Sequence, residues 1–266
     1  MATPSSTDAC PTVGPVTSTR YDEIGAGYAA VRREDPVLRN VIHRALGDSQ
    51  SVVNVGAGGG SYEPDDRYVI AVEPSDVMSA QRPPEKVPAL RGNAAPLMLR
   101  TDSVDAAMAV MTIHHWDHQL EEGIHELRRV ARGPVVIVTV DTTVSGQMWL
   151  LQDYLTELAD LDRGTFPPID QLVEWLGGTV DVESVPISRD TPDWSLLSYW
   201  AHPERVLDGT ARRATSGFSR MEPAIIQRVV GDVARDLADG IWDRRYGHLR
   251  VLDTLDVGMR LVVARP

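Results

Sequence analysis

Short apolar runs alternate with polar, turn-rich stretches through the first half of the chain. Residues 52–55 (VVNV), 68–73 (YVIAVE), 104–113 (VDAAMAVMTI) and 135–140 (VVIVTV) carry apolar side chains on both faces. Such runs predict strands buried in a parallel sheet, because a half-exposed sheet would alternate polar and apolar positions. Between them the period becomes helical. From Tyr21 to Gly47 the pattern is that of a helix, with Val37, Leu38, Val41, Ile42, Ala45 and Leu46 on one stripe, Pro36 suited to a first turn and Gly47 to a closing cap. Leu120, Ile124, Leu127 and Val130 define a second stripe over 120–130.

After Asp141 the character changes. Residues 146–161 form an amphipathic segment, 169–176 (IDQLVEWL) a helix closed by Gly177 and Gly178, and 223–237 a further helical pattern. Residues 180–187 and 257–264 read as strands. The pattern is that of an α/β protein whose parallel sheet runs through about residue 187, with helical insertions capping one edge. Residues 1–19 (MATPSSTDACPTVGPVTST) hold too little apolar surface to pack and are expected to be disordered.

Composition narrows the function classes. The 266 residues suit one large or two small domains at about 150 residues each. A formal net charge of −12 argues against a nucleic-acid backbone as partner. The one cysteine, Cys10, excludes a disulfide framework and a cysteine-rich zinc site. No stretch reaches the roughly 18 consecutive apolar residues of a membrane span, and the first nineteen residues lack the lysine, arginine and apolar run of a secretory signal. The expectation is a cytoplasmic protein with no membrane or nucleic-acid partner; a homo-oligomer stays open. His114, His115, Asp117, His118 and His125 invite a metal reading, but their spacing straddles a strand end and a loop, and no metal is expected.

The first strand is followed by Gly56-Ala57-Gly58-Gly59-Gly60, and the second ends on Glu73. Strand, glycine turn, strand and terminal acid form the nucleotide-handling arrangement of doubly wound folds: glycine lets backbone approach a ligand, and the acid can accept both ribose hydroxyls. The spacing is G-x-G-x-G rather than the dinucleotide G-x-G-x-x-G. The link from Gly60 to Glu73 is short and broken by Pro64, so a full crossover helix hardly fits, and the usual helix N-terminus for a phosphate is weak or missing. A cofactor without phosphates suits this turn better.

Four ordered segments carry a family resemblance: 52–62 (VVNVGAGGGSY), 69–75 (VIAVEPS), 91–104 (RGNAAPLMLRTDSV) and 109–117 (AVMTIHHWD). Together they resemble the class I S-adenosylmethionine-dependent methyltransferases, in particular the small-molecule branch that includes ubiquinone and menaquinone enzymes. The resemblance implies a Rossmann-like doubly wound, mostly parallel seven-stranded sheet with helical cap insertions. It implies lid helices over 20–47 and a cofactor-binding domain over 48–266, with insertions at about 142–168 and 189–256. It places Gly56, Ala57 and Gly58 against the methionyl part and ribose, and Glu73 on the ribose hydroxyls. Pro74, Ser75, Asn93 and Ala94 fall near the adenine, and Met111 beside the cofactor. Asn54 and Asn93 both stand where the family commonly has an acid. Tyr21, Tyr28 and Arg32 (Y-x6-Y-x3-R) match an N-terminal helix that closes over the cofactor, with the Arg32 guanidinium suited to the methionyl carboxylate; packing of that helix onto the sheet is the other reading.

Beyond the third strand, His114 and His115 occupy the place where related O-methyltransferases carry a histidine base, and either could instead only shape the pocket. Aromatic residues bunch in the insertions, and Trp149, Trp194 and Tyr199 are the candidate walls of an acceptor pocket. The function expected is methyl transfer to a small apolar or aromatic acceptor, on oxygen or carbon, in specialised natural-product biosynthesis. A noncatalytic S-adenosylmethionine-binding protein and a nicotinamide-dependent oxidoreductase are the alternatives.

Overall fold

The computed structural model describes residues 32–213 and 215–266. The tail at 1–19, the first part of the lid segment, Tyr21 and Tyr28 lie outside the described residues. Nine strands are seen among the described residues: β1 (Ser51–Val55), β2 (Tyr68–Glu73), β3 (Leu90–Arg91), β4 (Ala106–Val110), β5 (Val135–Val140), β6 (Thr179–Ser184), β7 (Ile187–Ser188), β8 (Thr254–Leu255) and β9 (Met259–Arg265). Seven form one sheet in the order β3-β2-β1-β4-β5-β9-β6, and β7 pairs with β8 apart from it.

The first five strands in that order pair in parallel, with Val53 opposite Ile70 and Ala107, and Ala109 opposite Ile137. Strand β9 enters antiparallel between β5 and β6. The expectation of a parallel sheet through residue 187 is thereby corrected: residues 179–184 reach the sheet only through the reversed β9, and residues 187–188 turn away to pair with β8. The reversal makes a mixed sheet of the type that carries an antiparallel edge on a parallel core. All six side chains of β5 are buried, Thr139 among them, as a strand covered on both faces requires.

Helices on both faces sort the alternating side chains into two cores. Helix α1 (Pro36–Leu46) begins where Asp35 caps the amides of Val37 and Leu38, and ends at Gly47 with φ 57°. Its Leu38, Val41, Ile42 and Leu46 join Val52, Ala106, Met108, Val136 and Val138 on one face. After the single turn α2 (Asp76–Ser79), α3 (Leu120–Val130) covers the other face, where Ile124, Leu127 and Val130 meet Val53, Ala107, Val135 and Ile137. Residues 56–67, between β1 and β2, contain no helix.

From the end of β5 the chain forms α4 (Thr142–Ser145), a π-helical turn at Leu150–Tyr154, α5 (Thr156–Thr165) and α6 (Ile169–Leu176). Between β7 and β8 lie α7 (Gly209–Arg213), α8 (Ser216–Ser219), α9 (Pro223–Ala238) and α10 (Ile241–Tyr246). Among the described residues no helix is long and apolar enough to cross a membrane.

Candidate active site

The carboxyl ends of β1, β2, β3 and β4 converge on the glycine turn. The amides of Gly56 and Ala57 both donate to the Val72 carbonyl, at 2.9 and 3.0 Å. Gly56 has φ 72°, and a Cβ there would lie 2.0 Å from Thr112 Oγ1, so only glycine lets the turn close against the segment after β4. Glu73 is buried, and its two carboxylate oxygens accept the Gly58 amide at 2.8 Å and the Ser75 amide at 2.9 Å. A carboxylate oxygen can accept more than one hydrogen bond, which is the chemistry that hydroxyls of a ligand need. Ser75 caps α2 through the Met78 amide, Pro74 is half-buried beside it, and Asn93 and the buried Ala94 follow β3 next to β2. Met111 follows β4 with φ 51°.

Asn54 carries an ion pair that sequence reasoning missed. Its Nδ2 donates to Glu63 at 3.0 Å, while its buried Oδ1 has no hydrogen-bond partner among the described residues. Arg82 meets Glu63 at 2.8 Å with both side chains almost wholly buried, and also donates to the Gly58 carbonyl at 3.2 Å. The one sequence signal was an amide standing where an acid is common.

The turn and the segment after β2 wall a cleft bordered by Arg32, Gly59, Gly60, Ser61, Met78 and Gln81. The donor set fits S-adenosylmethionine: a carboxylate at the end of β2 for ribose hydroxyls, an acceptor in Asn54 Oδ1 under the turn, unpartnered among the described residues, and a guanidinium at the cleft wall. Arg32 gives two of its five N–H groups to Asp193, Nε to Oδ1 at 2.5 Å and Nη2 to Oδ2 at 3.0 Å. The expected grip on a methionyl carboxylate is thus shared with an acid from the second insertion.

A second cavity, also bordered by Arg32, lies past the ends of β4 and β5. Met111, His114, Phe166, Asp162 and Arg220 stand on its wall. His114 sits in a 3-10 turn at Ile113–His115 and stacks on Phe166 with ring centroids 4.1 Å apart and planes at 21°. His115 is half-buried, its ring 3.8 Å from that of His114 and away from the cavity lining. Asp162 pairs with Arg220 at 2.9 Å, and Arg220 also donates to Thr165 Oγ1 at 2.7 Å. Burial pushes the Asp162 carboxyl up to about 6, against the downward pull of the Arg220 guanidinium. Sequence reasoning missed both residues, because nothing local marks a charge pair 58 positions apart.

The aromatic expectation is corrected at two of three positions. Trp149 is buried in the core, its Nε1 donating to the Trp200 carbonyl at 3.0 Å and its ring edge-on to Tyr154 and Trp242. Tyr199 is wholly buried, hydrogen-bonded to Thr215 Oγ1 at 3.2 Å and 6.3 Å from the Phe218 ring. Large rings in the insertions were drawn into the core, where they bury the most apolar area. Trp194 is half-buried beneath the Arg205 guanidinium, 5.1 Å from its ring centre. Its neighbours Ser195, Leu196 and Leu197 line the cavity instead.

Comparison with known proteins agrees with this geometry. Residues 53–138 match a family described as a methyltransferase domain. A protein of Anabaena variabilis, assigned to the methyltransferases of an antibiotic biosynthesis pathway, is 29% identical; the match covers 88% of this chain and 98% of that one with a TM-score of 0.81. The [4+2]-cyclase SpnF shares the fold at 17% identity, 92% and 93% coverage and a TM-score of 0.51. The plantazolicin methyltransferase BpumL, solved with S-adenosylhomocysteine, does so at 10% identity, 91% and 88% coverage and a TM-score of 0.50. No curated protein matches the chain in sequence. A cyclase and a methyltransferase on one fold leave the acceptor to be read from the site.

Proposed function

We propose that this chain, whose residues 53–138 match a methyltransferase domain and which is 29% identical to the Anabaena variabilis protein, is an S-adenosylmethionine-dependent methyltransferase that methylates a small, ring-bearing acceptor on a hydroxyl oxygen, in natural-product biosynthesis. One observation carries the reading. The cavity beyond β4 and β5 holds two proton acceptors, His114 and Asp162, on a wall that also presents Met111, Phe166 and Leu197. The relative from an antibiotic biosynthesis pathway supports the biosynthetic setting.

S-adenosylmethionine supplies a methyl group on a positively charged sulfonium, which makes the transfer an in-line displacement needing alignment and dryness more than covalent help. Gly56, Ala57, Gly58 and Asn54 would hold the amino-acid end, Glu73 the ribose, and Pro74, Ser75, Asn93 and Ala94 the base. Arg32 and Asp193 separate the cleft from the cavity. Phe166 keeps the His114 imidazole in one plane, so that a ring nitrogen can take the hydroxyl proton as the oxygen becomes nucleophilic. Asp162, tethered by Arg220, would accept a hydrogen bond from a second donor group on the acceptor and so fix its rotation. Helix α1 is packed into the core against the sheet and so corrects the expectation of a lid at that helix, while the two insertions would act as the cap.

Mass spectrometry of the protein as purified tests the cofactor and looks for a carried-over acceptor. Transfer from deuterium-labelled S-adenosylmethionine to phenols, with their methyl ethers as controls, tests the oxygen chemistry. Label on a ring carbon would move the reading to carbon methylation.

A further inference from the structure

The glycine turn lacks its usual support. A parallel pair of strands is ordinarily joined by a crossover with a helix, and that helix would carry the turn. Here residues 56–67 form no helix. An ion pair lies there instead. Arg82, from the stretch after α2, spans three neighbours: Nη2 reaches both oxygens of Glu63 at 3.0 and 2.8 Å, Nη1 reaches the Gly58 carbonyl at 3.2 Å, and Nε reaches the Val87 carbonyl at 2.8 Å. Glu63 is tied in turn to β1 by the Asn54 amide at 3.0 Å, and Lys86 holds its backbone carbonyl at 3.0 Å. The turn rests directly on this pair: a Cβ on Gly60 would lie 3.2 Å from Glu63 Oε2 and from Arg82 Nη1.

We propose that the Glu63–Arg82 pair, anchored to Asn54 and to the Gly58 carbonyl, is the positioning device that holds the glycine turn in the shape that receives the amino-acid end of S-adenosylmethionine. The inference rests on the cofactor lying along this turn. Two features give it direction. The ribose end depends on Glu73, which meets the turn at Gly58 and is otherwise fixed by β2 and Ser75. The amino-acid end depends on the stretch over Glu63 and Arg82, where Asn54 Oδ1 has no partner among the described residues. A buried pair keeps such a turn rigid because removing one partner leaves an uncompensated charge, whereas removing both is tolerated.

The test uses two ligands that differ only at the amino-acid end, S-adenosylhomocysteine and 5′-methylthioadenosine, titrated calorimetrically into the full chain. The double variant Glu63→Gln with Arg82→Met removes both charges and keeps the volume. It should bind S-adenosylhomocysteine at least about tenfold more weakly, with 5′-methylthioadenosine changed by less than about threefold. Arg82→Lys keeps the ion pair but cannot also reach Gly58 and Val87. It should show the same split at about fivefold, and serves if the double variant does not fold. Equal weakening of both ligands, or no weakening of either, overturns the proposal. A wild-type protein that binds neither ligand overturns the cofactor reading along with it.

Discussion

Arg32 and Asp193, 161 positions apart, clasp each other in a two-pronged ion pair with side chains only 20% and 11% exposed. A second link runs beside it, from Thr191 Oγ1 to the buried carboxylate of Asp35 at 2.5 Å. The stretch that leads into α1 is thereby latched to the second insertion, at the boundary between cleft and cavity. The two segments should respond as one. On adding S-adenosylhomocysteine, hydrogen exchange should slow together at residues 32–38 and 191–197, and Asp193→Ala with Thr191→Val, which removes both links, should abolish the coupling while leaving the core of the sheet protected. Slowing at one segment alone in the wild type would refute the latch.

Glu73 should dominate cofactor affinity. Its carboxylate holds the Gly58 and Ser75 amides at the end of β2, where the proposed site puts the ribose, and charge-assisted bonds contribute about 1.5–3 kcal/mol each. Both Glu73→Ala and Glu73→Gln should weaken S-adenosylhomocysteine by at least about tenfold in calorimetry. The glutamine should fare no better, since its amide nitrogen would point a donor at a backbone donor.

His114 separates base catalysis from positioning. With an acceptor in hand, His114→Ala should lower the rate by about 10² to 10⁴ with cofactor affinity nearly intact. His114→Gln keeps a hydrogen-bonding group but no base near neutral pH. Glutamine as damaging as alanine supports proton removal; glutamine close to wild type would mean that the imidazole only orients the acceptor.

Asp162 should leave a signature in stability against pH. Its carboxyl is raised from 3.8 to about 6, so the folded state holds the proton more tightly than the unfolded chain does. The group's contribution is therefore largest below pH 4 and is lost as pH rises through about 6, a change on the order of 2–3 kcal/mol. Asp162→Asn removes that slope. The Tm of the variant relative to wild type should rise steadily from pH 4 to pH 7, and a pH-independent difference would contradict the shift.

The backbone was more legible than the site. Residues 52–55, 68–73 and 135–140 announce buried strands because apolar side chains fall on both faces of each run, and a sheet covered on both faces demands that. The run at 104–113 overstates its strand, which spans Ala106–Val110. Met111 leaves extended geometry at φ 51°, yet Ile113 remains buried in the other core, so the apolar run outlasts the strand. Strand β3 is two exposed residues long, too short to show any period. At the site, glycine and acid spacing points to Glu73 because both sit at strand ends. Glu63, Arg82, Asp162 and Asp193 meet their partners only through the fold, and a charge in sequence looks the same whether solvated or buried. Trp149 and Tyr199 mislead for a related reason: a large ring suits a pocket wall and a core equally.

The placement of β9 sets the order in which the molecule can be finished. Strands β2, β4 and β5 can pair as they leave the ribosome, since each finds a neighbour already made. Strand β6 cannot: its partner in the sheet is β9, made after the whole second insertion. Until residues 259–265 arrive, β5 and β6 each present a bare edge, and bare edges are where nascent chains stick to one another. The closing strand therefore acts as a keystone. Nascent protein stalled before it should engage chaperones, while the arrival of β9 covers the facing edges of β5 and β6 in a single late step.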